Sequence, residues 1–225
     1  MSFINVSSYE YEYSQRTFHI LVKSLSSSFL IPTETLPRIL FHGLILSCII
    51  CGFWLLDSLK DPIIANTIGM EYQPLAKFLS VLSTLVVVCI YDYATSAVNK
   101  PALFHLVSLF YGMFILILAA YLADPVKGLS NRTKDPNRLL GWICYFVIES
   151  YGSLMVSLFW SFTNSIMNLE QAKGAYGLII SVAQIGAILG STFATRASII
   201  GIPQLFIVGM CSEHHLNYRN HHHSY

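Results

Sequence analysis

Between residues 38 and 211 the sequence is a row of apolar runs, each close to the length needed to cross a lipid bilayer. A helix rises 1.5 Å per residue, so roughly 20 apolar residues span about 30 Å of hydrocarbon. The runs are 38–59, 75–93, 101–122, 139–162, 176–195 and a shorter one at 197–211, interrupted by Gly201 and Pro203. Only 11% of the chain is charged and 54% is hydrophobic, whereas a soluble domain carries about 25% charged residues. Lipid is therefore the expected solvent. The expected fold is an all-α, multi-pass integral membrane protein of about six transmembrane helices.

The chain divides into a polar or amphipathic segment 1–36, a six-helix transmembrane domain 37–211 and a His-rich tail 212–225. The first segment lacks the charged-then-apolar layout of a signal peptide, and Glu10 and Glu12 argue against an organelle transit peptide. It reads as an interfacial helix or a flexible lead-in. The tail carries five histidines but no packed scaffold to hold a metal, and reads as disordered. A net charge of +1 offers no basic field for nucleic acid. The five cysteines, Cys48, Cys51, Cys89, Cys144 and Cys211, all lie in apolar runs and imply no disulfide framework. Cys48 and Cys51 form a CxxC with no second ligand pair to complete a zinc site. Residues 123–138 form the longest joint, rich in Pro, Gly, Asn and charge, as a wet loop should be. Its Asn131-Arg132-Thr133 matches a glycosylation sequon and is read as a chance match. Lys and Arg divide six against seven between the two sides, which leaves the orientation open.

Charge inside the runs is the chemically informative feature. Glu149 is the eleventh residue of the fourth run, roughly 15 Å in and near the expected midplane. An acidic group there costs about 2.5–3.5 kcal/mol on insertion scales. It needs a cavity, a proton or a cation. Lys60, at the end of the first run in "LLDSLKDPII", is the best candidate cation, against the plainer reading of a snorkelling interfacial lysine. Asp61-Pro62 is expected to interrupt the helix just beyond it, because a residue before proline avoids the α region. Asp57 is placed to pair with Lys60 and screen it. In the fifth run, Gly186 and Gly190 have the small-xxx-small spacing that lets helix backbones approach closely.

The segments "SLKDPIIANTIGMEYQPLAK" and "CYFVIESYGSLMVSLFWSFTNSIMNLEQAKGAYGL" resemble the ATP/ADP translocases of plastids and obligate intracellular bacteria, the nucleotide transporter family. Lys60-Asp61 matches that family's Lys-Asp after the first span, whose lysine is implicated in transport. Gly69 and Lys77 match the family's glycine and the lysine opening the second span. Tyr145 and Glu149 match the tyrosine and intramembrane glutamate of the fourth. Phe159-Trp160, Phe162 and Asn164 match a Phe-Trp-x-Phe-x-Asn pattern, and Glu170, Lys173 and Tyr176 match the loop that follows. The likeness runs over about residues 45–195. It implies the N-terminal half of a major-facilitator-like transporter, with nucleotide transport of the ATP:ADP antiport type.

The departures from the pattern are specific. Asp57 stands where the family usually has arginine, Ser83 where it has proline and Tyr151 where it has tryptophan; Gly174 and Gly177 replace an arginine and a proline. The resemblance implies Lys60, Glu149, Trp160 and Asn164 as substrate-binding residues, with Lys60 holding a phosphate. Trp160 and Tyr151 offer an adenine-stacking face, against aromatic-belt or core packing for each. ATP, ADP or another nucleotide and the bilayer are the implied partners, with no cofactor and no metal. A homodimer, a second-half chain or a longer product would supply the other wall. The competing reading is a non-transporting scaffold or accessory subunit. No paired His, Ser/His/acid set or metal constellation suggests an enzyme.

Overall fold

The structure, a computed structural model, describes residues 16–17, 20, 22–29 and 31–209. The His-rich tail and residues 1–15 of the expected N-terminal segment lie outside them, as does Cys211. The described residues form a helical membrane protein: α1 (Leu36–Thr67), a 3₁₀ turn at Met70–Tyr72, α2 (Gln73–Ala97), α3 (Lys100–Ala123), α4 (Leu139–Ile166) and α5 (Leu169–Ala194). All five are long and apolar enough to cross a membrane. A proline occupies the first turn of α1, α2 and α3, where its missing N–H costs no intrahelical bond.

Of two expectations at helix ends, the first is corrected and the second, an interruption at Gly201, is met. The first concerns Asp61-Pro62. The helix does not stop there but runs through Pro62 to Thr67. Proline forfeits one bond, but the turns beyond it are held by burial: Ile63, Ile64 and Thr67 are completely enclosed. The chain turns instead at Gly69, whose φ of 118° favours glycine. The second concerns the sixth run, 197–211. A single helical turn at Ala197–Ile200 ends at Gly201, with φ of 96°, before a helical segment at 202–209. Its last two residues lie outside the described ones.

α1 lies along α5, and α4 is the hub that touches α1, α2 and α3. The core runs between these faces in one buried cluster that includes Leu55, Leu56 and Leu59 of α1 and Ile148, Met155 and Leu158 of α4. The small-residue spacing in α5 has its expected role. A Cβ at Gly186 would fall 2.0 Å from the carbonyl oxygen of Ser47, and one at Gly190 2.2 Å from that of Cys51. Cys48 and Cys51 of this closely packed helix are not joined in a disulfide. α2 buries only Ala76 and Ser80, so it presents Phe78, Val86 and Ile90 outward, as a lipid-facing helix does. Helical segment 22–29 is seated on α5, where a Cβ at Gly174 would meet the carbonyl oxygen of Phe29 at 2.4 Å.

Candidate functional site

Lys60 lies seven residues before the end of α1, and Glu149 ten residues into α4. The end of α1 and the start of α4 meet. The Asp135 N–H donates to the Thr67 carbonyl at 3.0 Å, and Gly141 leaves no room for a Cβ beside Thr67. Antiparallel packing therefore brings Lys60 and Glu149 to the same level, and their side chains form an ion pair. Asp57, one turn back on α1, takes the same ammonium at 2.5 Å. The Tyr145 ring lies under it, 5.0 Å from Nζ to the centroid, a cation–π distance. Lys60 is 11% exposed, and Asp57 and Glu149 are 23% and 26% exposed, so the group is lodged between helices yet open on one side. Oδ1 of Asp61 is buried without a hydrogen-bond partner. Two carboxylates, those of Asp57 and Glu149, thus share one ammonium.

α4 extends four residues beyond the apolar run, to Ile166. Glu149 is therefore about 15 Å from the start of α4 and about 26 Å from its end, not at its middle.

Trp160 and Asn164 form a second group. The Tyr176 hydroxyl of α5 donates to Asn164 Oδ1, and the Tyr176 ring meets Trp160 edge-on at 5.0 Å. Trp160 follows Glu149 by eleven residues, which is about three turns or some 16 Å along the helix. The two groups thus lie on one stripe of α4 without touching. Between them are the exposed Ser153 and Ser157, whose hydroxyls bond to carbonyls one turn back. Tyr151 is not on this stripe. It is 1% exposed, packs edge-on to Tyr111 at 5.6 Å, and belongs to the core.

The family profile of the TLC ATP/ADP transporter matches residues 16–135 and 138–215. The chain belongs to this family. Similar proteins include ADP,ATP carrier protein 1 of Chlamydia muridarum, 30% identical over 67% of this chain and 33% of the carrier. ADP,ATP carrier protein 4 of Rickettsia typhi is 26% identical over 87% of this chain and 42% of the carrier. The matches thus take in about a third to two-fifths of those carriers' length. No solved structure matches.

Within this TLC family member, two contacts were not legible as site features. Tyr145 was matched only as a motif residue, although its spacing of four before Glu149 sets both on one helix face. Tyr176 was assigned to a loop, because α5 was expected to begin there. The helix begins at Leu169 behind an Asn168 cap, whose Oδ1 accepts from the Gln171 N–H at 3.1 Å. Asn168, with Glu170 in the first turn, was the available signal for that start.

Proposed function

We propose that this chain forms one wall of a nucleotide pathway for ATP:ADP exchange, with Lys60 and Glu149 at the phosphate end and Trp160 and Asn164 further along the same stripe. The observation that carries this reading is the Lys60 ammonium held between two helices by carboxylates that remain partly open. Lysine suits phosphate as a point charge, and a nucleotide phosphate would replace Glu149 as its partner. Release of Glu149 on binding, and its return on departure, would keep the lysine paired in both states. That limits the cost of an ionised group within the bilayer. Substrate sites in such folds lie between two halves. The opposite wall would come from a second copy, a separate chain or a longer product.

The test is binding of ATP, ADP and adenosine to the purified chain, side by side. Removing one partner of a buried charged contact costs about 2–5 kcal/mol, roughly thirty- to several-thousand-fold in affinity. Lys60→Ala should lose that much for ATP and ADP and little for adenosine. Equal affinities for all three, unaltered in the variant, would sink the proposal.

A second reading, a non-transporting scaffold or accessory subunit, is favoured by Asp57, which holds Lys60 at 2.5 Å. Asp57→Asn distinguishes the two. Under the transport reading it frees the lysine and tightens polyphosphate binding; under the scaffold reading it leaves nucleotide binding absent.

A further inference from the structure

A cavity of about 830 Å³ opens at the opposite face of α4, between the last turns of α3, the first turn of α4 and the loop that joins them. It is separate from the Lys60 group. Its inner wall is apolar, formed by Phe114, Ile117 and Leu118 of α3 with Leu140 and Ile143 of α4. Its rim is polar, formed by Lys127, Asn131, Thr133, Asp135, Asn137 and Arg138 of the loop. The cavity also opens sideways, since Ile117, Leu139 and Ile143 are exposed.

The rim is preformed. Arg138 donates to the carbonyls of Lys127 and Gly128 at 2.8 Å and of Asn131 and Thr133 at 2.9 Å. Trp142 Nε1 donates to the Pro136 carbonyl at 2.9 Å. Of the loop's charged residues, Lys127, Asp135 and Arg138 line the cavity, a net charge of +1, while Asp124, Arg132 and Lys134 do not line it. Phe114 is nine residues before the end of α3 at Ala123, so the apolar wall descends about 13 Å from the helix end. Tyr121 lines the cavity at that end, the level at which aromatic belts mark the membrane interface.

We infer that this groove binds one anionic phospholipid, with its headgroup on the cationic rim and its upper acyl chain along the α3–α4 wall. The polar-to-apolar gradient runs along the helix axis, as it does in a lipid standing in the bilayer. A nucleotide fits the same groove poorly, because its sugar and phosphates would face the exposed isoleucines. A zwitterionic lipid matches the apolar wall but not the net charge.

The experiment is native mass spectrometry of the full chain in detergent with dioleoylphosphatidylglycerol or dioleoylphosphatidylcholine, with ATP and inorganic phosphate as competitors. One phosphatidylglycerol per chain should be retained in preference to phosphatidylcholine. Lys127→Gln should weaken its retention about fivefold, the effect of one juxtamembrane cation. Ile143→Trp, which fills the groove, should weaken both lipids, with unchanged helix content by circular dichroism. If that variant does not fold, Lys127→Gln still decides. Equal retention of the two lipids, or retention indifferent to Lys127→Gln, would overturn the inference. Full displacement by phosphate or ATP would overturn it too, making the groove an anion or nucleotide site.

Discussion

At the residue scale, the ion-pair group distinguishes its members by what each removal leaves behind. Lys60→Met leaves Asp57 and Glu149 facing each other with no cation. Stability in detergent should fall by about 1–3 kcal/mol, below the 3–5 kcal/mol of fully buried pairs because both carboxylates keep some exposure. Glu149→Gln leaves Lys60 paired with Asp57, so the melting temperature should barely move. Under the proposed function, uptake into vesicles reconstituted with the complete transporter should nevertheless be lost in that variant. Parallel loss of folding and uptake in Glu149→Gln would mark Glu149 as a packing group instead. Lys60→Met combined with Asp57→Asn should recover part of the lost stability, since one of the two unpaired carboxylates is then gone. A double variant no more stable than Lys60→Met alone would count against the shared-ammonium account.

At the element scale, the α1–α5 contact and the α3–α4 loop make separate forecasts. Alanine is favoured over glycine within a helix by about 1 kcal/mol. At Gly186 that gain is outweighed, because the added Cβ would lie 2.0 Å from a backbone oxygen that cannot rotate aside. Gly186→Ala should therefore destabilise by about 1–3 kcal/mol, as overpacking does. At Gly209 the nearest atoms are leucine side-chain carbons at 3.5 Å, an ordinary contact, so Gly209→Ala should be neutral to stabilising by up to about 1 kcal/mol. Thermal melts of the two variants give the comparison, and equal melting temperatures would contradict it. In the loop, Arg138→Lys keeps the charge but loses the planar fork. Amide hydrogen exchange at residues 127–133 should rise in that variant. The backbone N–H groups of Lys127 and Val126 hold the Asp124 carboxyl below its ordinary value of 3.8. The turn it caps is therefore intact above that value and is released only as pH falls through the lowered folded value. Exchange at 126–127, corrected for its intrinsic pH dependence, should show no transition between pH 5 and 8.

At the scale of the whole molecule, the outward surfaces of α2, α3 and α5 are apolar along most of their length, as in Phe78, Leu109 and Ile188. Such surfaces are stable only in lipid. The expressed chain should remain in the membrane pellet after alkaline extraction, and recovery in the supernatant would contradict a multi-pass protein. The Lys60 group opens on a side that no described helix covers completely, which is where a second wall would stand. If a second copy supplies it, a cysteine introduced at Ser153 should cross-link chain to chain in membranes, and ATP should alter the yield. Monomer alone under strong oxidant would turn attention to a separate chain or a longer product.

The sequence by itself determined the solvent and the helices. Apolar runs of bilayer length have no stable alternative to burial in lipid as helices, and five of the expected spans stand where the hydropathy placed them. The link between Lys60 and Glu149 was also legible, because two opposite charges in apolar surroundings have few other partners. Tertiary structure decided what pattern could not. Hydropathy falls at charges and prolines, but helical hydrogen bonding continues wherever neighbouring packing supports it. α1 therefore passed through Pro62, and α5 began at Leu169. Packing between α4 and α5 set Tyr176 on Trp160 and Asn164, a contact between residues in separate helices that no local pattern encodes. It also put Tyr151 into the core, away from the stripe where Glu149 lies. The number of carboxylates on Lys60 was decided in the same way: Asp57 was within reach along one helix, but Glu149 joined it only because α1 and α4 pack antiparallel with their ends in register.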